Sequence, residues 1–219
     1  THERSSAASD VYKRQGVFNH LEAEHRLSKY EIAELAYQIE RVDLKNIGGR
    51  QDQLATVFGG LNFIEFEASG MARVESLQIN HHTRQEFPES VRLFRIGNRG
   101  DSGNIIEDQT KNVKSSDKTL AAMHKSKELA HQMKVALFAG DIRKFGELLA
   151  TAWAEKKKFS TKISNAHIDE IYETAMKNGA IGGKISGAGG GGHMFFVVQN
   201  WQYLKLVPVS YTHLTLPTI

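Results

Sequence analysis

The sequence contains no cysteine, which excludes a disulfide framework and a zinc site with cysteine ligands. It also has no apolar run approaching about 18 residues, so we expect no membrane-spanning helix. The formal net charge of +3 is too small to indicate nucleic-acid binding. No signal peptide and no internal repeat are visible. These absences lead us to expect a globular protein in the cytoplasm, without nucleic-acid or membrane partners.

Both ends of the chain resemble translated DNA of technical origin. Residues 5–15 correspond to one frame of a transposase-type sequencing adapter, and residues 209–218 correspond to its reverse complement. We therefore exclude residues 1–15 and 209–219 from the fold prediction as adapter-derived artefacts. On this interpretation the native protein is represented by about residues 16–208, and the part that preceded residue 16 is missing.

The remaining pattern predicts a mixture of helices and strands. Helical spacing of apolar residues and capping signals favour helices near residues 29–41, 51–58, 119–139, 142–158 and 167–178. Strands are predicted over residues 61–66, 72–79, 91–96, 184–186 and 193–198. The polar stretch 81–89 contains Pro88 and is predicted to be a domain boundary. Helices and strands in this order indicate an α+β protein.

Two motifs carry the chemistry of the chain. The first is Gly49-Arg50-Gln51-Asp52-Gln53, in which one acid lies between two amides and is a candidate catalytic base. The second is Gly187-Ala188-Gly189-Gly190-Gly191, directly before an apolar strand. Backbone without Cβ atoms can approach a ligand closely, and successive N–H groups can face an anion. Together the motifs indicate phosphoryl transfer from a nucleotide.

The order and separation of these motifs resemble the GHMP small-molecule kinases, and most closely the heptose-phosphate kinase type. A further motif, residues 58–66, lies between them and strengthens the resemblance. The resemblance implies a GHMP kinase-like two-domain fold. Residues 16–84 would be the remnant of a ribosomal protein S5 domain 2-like nucleotide-binding domain, and residues 85–208 would be a ferredoxin-like C-terminal domain.

The resemblance also implies roles for individual residues. Asp52 matches the family's catalytic aspartate, and Gln53 matches the residue that follows it at the substrate. Glu40, twelve residues before Asp52, matches a helix glutamate that holds Mg²⁺. The run Gly187 to Gly191 matches the family's third motif, which lines the phosphates of ATP.

A third loop resembles the part of the family that contacts the sugar phosphate. Residues 97–102 contain Ser102 at the expected place, whereas the arginine of the pattern falls one position early, at Arg99. Both are candidate substrate ligands. The shift of Arg99 weakens the assignment of the sugar.

The resulting prediction is an ATP- and Mg²⁺-dependent sugar or sugar-phosphate kinase, with heptose 7-phosphate as the favoured acceptor and a homodimer possible. The chain as written is expected to lack the phosphate-binding loop and to be inactive. Other GHMP kinases remain alternatives, either of the fucokinase and galactokinase type or of the mevalonate type. A non-catalytic ligand-binding relative is the alternative from another class.

Overall fold

The structure is a computed structural model that describes residues 27–97 and 102–198. The chain divides into two compact units, the first ending at Gln78 and the second beginning at Ile79. Each unit has its own buried apolar cluster. Helices and antiparallel strands occur in both, which confirms the predicted α+β class.

From residue 27 onward, the first unit contains two helices, a π-helical turn and a β-hairpin. Ser28 begins the unit with the predicted capping box, because its hydroxyl accepts from the Glu31 N–H while the Glu31 carboxylate accepts from the Ser28 N–H. The elements in chain order are α1 (Lys29–Tyr37), the π-helical turn (Gln38–Asp43), α2 (Gln51–Phe58), β1 (Asn62–Phe66) and β2 (Ala72–Ser76).

A small core joins the helices of this unit to its hairpin. Ala33 of α1 and Leu54 and Val57 of α2 are buried against partly buried side chains of the antiparallel strands, among them Ile64 and Val74. Ile64 and Val74 are directly opposite one another in the hairpin register, so their side chains share one face. This packing fixes α2, and with it the position of Asp52.

The second unit is a three-stranded antiparallel sheet with helices. The strand order is β3-β5-β4, so the last of the described strands lies in the middle. The elements in chain order are α3 (His81–Ser90), β3 (Val91–Gly97), α4 (Ser102–Ser115), α5 (Asp117–Ala139), α6 (Ile142–Lys157), α7 (Ala166–Lys177), β4 (Ala180–Ile185) and β5 (Gly192–Val198).

The core of the second unit lies beneath this sheet. Met194 and Phe196 of β5 are almost completely buried with Trp153 of α6 and Ile168 of α7. A separate buried cluster, containing Leu129 and Leu148 among others, joins α5 to α6. Among the described residues, no helix is long and apolar enough to cross a membrane.

The predicted boundary segment at residues 81–89 is a helix in the structure. The Asn80 side chain caps it by accepting from the Thr83 N–H at 2.8 Å, and Phe87 packs edge-on against Phe145 at 5.1 Å. Pro88 lies in the last turn, where the helix ends at Ser90. No helix was predicted here, because Pro88 received more weight than the capping signal at Asn80 and because the aromatic contact cannot be read from the sequence.

Strand β4 begins at Ala180, four residues before the predicted start. Two glycines inside it explain the difference. A Cβ at Gly182 would overlap the backbone of Gly146 and lie 2.9 Å from the Ala150 nitrogen, both in α6. A Cβ at Gly183 would overlap the ring of Phe196. Glycines that suggest a loop in the sequence therefore allow a direct backbone contact between β4 and α6.

Candidate functional site

Asp52 lies in the first turn of α2 and is exposed to solvent. Its carboxylate makes no hydrogen bond or ion pair with another residue of the described part, whereas its carbonyl oxygen accepts from the Thr56 hydroxyl at 2.7 Å. The predicted base is therefore on a fixed helix and is accessible to a substrate.

Glu40 lies in the π-helical turn that follows α1. Its carboxylate accepts from Nε2 of Gln53 at 2.6 Å and lies 3.5 Å from Nη1 of Arg41. The Glu40 side chain is only 16% exposed. Turns of the π type are rare and are frequent at functional sites. Two side chains thus hold the predicted metal ligand, Arg41 of the same turn and Gln53 of α2. Gln53 comes from the same motif as the predicted base.

Gln53 is 1% exposed, and its amide faces Glu40. An ionised carboxylate accepts hydrogen bonds and cannot donate them, so the amide must direct its nitrogen toward Glu40. This contact fixes the orientation of the Gln53 side chain. Its other atom, Oε1, is buried and has no hydrogen-bond partner in the described part. The structure thus places Gln53 beside the predicted metal ligand, and contact of Gln53 with a substrate stays a prediction.

A magnesium ion would find suitable chemistry at Glu40. Mg²⁺ prefers hard oxygen ligands, usually one or two carboxylates completed by water and substrate phosphates. The low exposure of Glu40 and its fixed orientation match this donor type. No group of three or more histidine, aspartate and glutamate side chains is arranged for a metal within residues 27–97 and 102–198. Glu40 therefore offers one carboxylate of the donor type that Mg²⁺ prefers.

Two arginines near the motif were not assigned roles from the sequence. Arg41 donates to the carbonyl oxygens of Gly49 (3.3 Å) and Ile47 (3.2 Å), so it orders the loop that leads into α2. A Cβ at Gly48 would overlap the Arg41 guanidinium, which explains the glycine there. Arg50 pairs with Glu34 and stacks on the ring of Tyr37 at 4.2 Å. The only signal in the sequence was that both arginines adjoin predicted site residues.

The glycine turn (residues 187–191) lies between β4 and β5 in the second unit. Four of its five residues are glycines with positive φ, which side chains rarely tolerate. At Gly189, with φ of +120°, a Cβ would also lie 2.9 Å from the Ile163 Cα. The N–H of Gly190 donates to the Ile163 carbonyl at 2.9 Å. The backbone shape and the close packing together require glycine at these positions.

Two further side chains fix the carbonyl groups of the glycine turn. Nζ of Lys156, at the end of α6, donates to the Gly187 carbonyl, and Nε2 of Gln109 in α4 donates to the Ala188 carbonyl at 3.3 Å. Gly187 is exposed, whereas Gly189 is buried. Side chains of α4 and α6 therefore hold the glycine turn, while its first residue, Gly187, is exposed to solvent.

The remaining predicted substrate ligands are not fully described. Arg99 lies outside the described residues. Ser102 is the first residue of α4, and its side chain lies outside the description as well. Their predicted contacts with a sugar phosphate stay predictions.

A family model for the C-terminal domain of GHMP kinases matches residues 133–202. The chain is also 41% identical over 181 residues to the D-glycero-alpha-D-manno-heptose 7-phosphate kinase of Campylobacter jejuni. That alignment covers 83% of this chain and 53% of the relative. The chain thus spans about half the length of this curated relative.

Two solved structures of similar sequence share the fold. A D-glycero-D-manno-heptose 1-phosphate kinase from Bacteroides thetaiotaomicron is 30% identical with a TM-score of 0.71, over 95% of this chain and 57% of that one. A putative sugar kinase from Campylobacter jejuni is 36% identical with a TM-score of 0.70, over 94% of this chain and 58% of that one. Both agree with the resemblance first identified from the motifs.

Proposed function

We infer that this chain, which carries the C-terminal domain of the GHMP kinases, is part of an ATP-dependent kinase that phosphorylates a hydroxyl group of a sugar phosphate. The favoured acceptor is a heptose 7-phosphate, because the relative with 41% identity carries that name. A cytoplasmic location is proposed with it, since ATP is the phosphoryl donor.

One arrangement carries this proposal: two consecutive residues of α2 serve different ends. Asp52 presents an exposed carboxylate, while Gln53 is buried and holds the carboxylate of Glu40. The helix thus places a carboxylate that is open to solvent next to a side chain that orients a second carboxylate. A phosphoryl-transfer site needs both a proton acceptor for the hydroxyl and an oxygen ligand for the nucleotide's metal.

The reaction follows from these roles. The acceptor hydroxyl oxygen forms a bond to the γ-phosphorus of ATP, and the bond between that phosphorus and the β–γ bridging oxygen breaks to release ADP. Asp52 receives the hydroxyl proton as the new bond forms. Most of the remaining rate enhancement comes from positioning and charge stabilisation rather than from covalent chemistry by the protein.

Glu40 would hold Mg²⁺, with Gln53 keeping its carboxylate oriented. When bound, the ion neutralises charge on the transferred phosphoryl group. The glycine turn is proposed to lie along the nucleotide phosphates, because its lack of Cβ atoms permits close approach of the backbone. Arg99 and Ser102 are proposed as ligands of the acceptor's phosphate.

An acceptor screen tests this function. A full-length version, extended to the length of the curated relative, is incubated with ATP, Mg²⁺ and one acceptor at a time while ADP formation is followed. We expect turnover with heptose 7-phosphate to exceed that with fucose, galactose or mevalonate. Preferred turnover of one of those three would replace the acceptor but keep the reaction. Nucleotide binding without turnover on any acceptor would support the non-catalytic alternative.

A further inference from the structure

The loop between α6 and α7, residues 158–165, lies directly against the glycine turn. Ile163 of this loop is completely buried and makes two contacts with the turn. Its carbonyl accepts from the Gly190 N–H at 2.9 Å, and its Cα occupies the space that a Cβ on Gly189 would need. The position of the glycine turn therefore depends on where this loop lies.

The carboxylate of Asp108 in α4 holds the part of this loop that precedes Ile163, whereas Asp169 of α7 accepts from the Ser164 hydroxyl on the other side of it at 2.8 Å. Oδ2 of Asp108 accepts from the hydroxyl of Ser160, which is 3% exposed. Oδ1 lies 3.6 Å from Nζ of Lys162. Ser160 passes the connection on, because its hydroxyl oxygen accepts from the Lys162 backbone N–H at 3.1 Å. Two polar anchors, at Ser160 and at Lys162, thus lie within three residues before Ile163.

Helix α4 strengthens this connection along one face. Asn112, one turn after Asp108, donates to Oδ2 of Asp108 at 3.3 Å and to the Phe159 carbonyl at 2.9 Å. Gln109 and Ile105 of the same helix reach the turn itself, at the Ala188 carbonyl and beside Gly190. The helix therefore contacts the loop and the turn together, which makes it a shared support for both.

We propose that Asp108 is a positioning residue for the glycine turn, acting through Ser160, Lys162 and Ile163. Its importance for nucleotide binding rests on the proposed function, whereas its hold on the turn does not. The Ser160 hydroxyl, followed by Lys162 and Asn112, lowers the pKa of Asp108 below its ordinary value. The carboxylate therefore stays ionised at neutral pH and remains an acceptor for all of these donors.

Hydrogen exchange of the Gly190 amide tests the hold on the turn. NMR exchange rates are compared in the 219-residue chain, in Asp108→Ala and in Glu107→Ala, an exposed acid on the same helix that makes no described contact with the loop. We expect Gly190 to exchange at least about tenfold faster in Asp108→Ala and within about twofold of the parent in Glu107→Ala. Asp108→Asn, which retains an acceptor for Ser160, should lie between.

An unchanged Gly190 rate in folded Asp108→Ala would overturn the proposal, and so would an equal increase in Glu107→Ala. If Asp108→Ala does not fold, Ser160→Ala removes the same contact from the other side, and the same two outcomes apply.

In the full-length version, Asp108→Ala should raise KM for ATP about tenfold and leave KM for the acceptor near the parent value. Equal changes in both constants would contradict a role at the nucleotide. Absence of any ATP binding in the parent would refute the proposed function while leaving the exchange result valid.

Discussion

The segment around Asp52 and the glycine turn position their groups in opposite ways. Around Asp52, long polar side chains hold the structure in place. Gln53 and Arg41 both contact Glu40, and Arg41 also orders the loop that leads into α2. The glycine turn is held in place because its residues lack side chains, which lets Ile163 pack directly against the backbone of Gly189. The comparison predicts that the first region is sensitive to changes of polar groups and the second to any added atom.

The largest effect is expected at Gly182, where the backbone of β4 lies directly against that of α6. Gly182→Ala would place a Cβ against the backbone of Gly146 and Ala150, which cannot rotate away as a side chain could. We expect a loss of about 3 kcal/mol or more in the free energy of unfolding of the second unit. Urea denaturation measures it. Gly49→Ala is the control, because no atom lies within 4 Å of the added Cβ. A Gly182→Ala protein as stable as Gly49→Ala would refute the described packing.

Gly189→Ala tests the glycine turn itself. The residue combines a φ of +120° with the Ile163 Cα at 2.9 Å from the added Cβ, so both backbone strain and a clash are expected. The cost should be about 2 kcal/mol, smaller than at Gly182 because a loop can shift more easily than a helix. Thermal unfolding and the Gly190 exchange rate would report it. Unchanged values of both would show that the turn does not require bare backbone.

Gln53→Leu distinguishes the effect of the Gln53–Glu40 hydrogen bond from the effect of packing at this buried position. Leucine removes the hydrogen bond to Glu40 but also removes the buried, unpartnered Oε1, so stability should change by no more than about 1 kcal/mol. Metal affinity should fall about tenfold because Glu40 loses its orientation. Mn²⁺ binding followed by electron paramagnetic resonance in the full-length version measures this fall. Gln38→Leu, which removes an exposed bond to Glu34, is the matched control and should leave affinity unchanged.

The smallest effect concerns Lys184, beside the glycine turn in β4. Burial lowers the pKa of Lys184 below its ordinary value, and its amine makes no hydrogen bond or ion pair with another described residue. The folded state therefore releases this proton at a lower pH than the unfolded state does. The contribution of Lys184 to the free energy of unfolding rises as the pH increases through its pKa in the folded state. It levels off above the pKa that the same amine has in the unfolded state.

Lys184→Met removes this titration. The variant should be more stable than the parent at pH 7 by about 1 kcal/mol and should lose the alkaline rise in stability. Lys111→Met, an exposed lysine of α4, should do neither. A destabilised Lys184→Met protein would mean that the amine has a partner that the burial argument omits.

The sequence predicted local features well and long-range ones poorly. The capping box of α1, helices α2, α5 and α6, and strands β3 and β5 all follow from spacing and capping signals within a few residues. Helix α3 and the start of β4 were missed because Pro88 and Gly182 have opposite local and tertiary meanings. In each case a contact with α6 decided the structure, and no local pattern contains that contact.

The site residues divide in the same way. Asp52, Glu40 and the glycine turn were identified from motifs, and the structure adds the hydrogen bond from Gln53 to Glu40, thirteen residues apart. The pair of Asp108 and Ser160, separated by 52 residues, had no signal in either local sequence. An aspartate in a polar helix and a serine in a loop are common, and only their contact distinguishes them.

The most direct measurement is the single-turnover rate of phosphoryl transfer in the full-length version of Asp52→Asn at saturating ATP and acceptor. The control is Asp117→Asn, which changes an exposed aspartate that is also in the first turn of a helix. We predict a rate at least about 100-fold below the parent for Asp52→Asn, with ATP affinity near the parent value, and no such loss for Asp117→Asn. Transfer by Asp52→Asn at a rate within a few-fold of the parent would contradict the assignment of Asp52 as the proton acceptor.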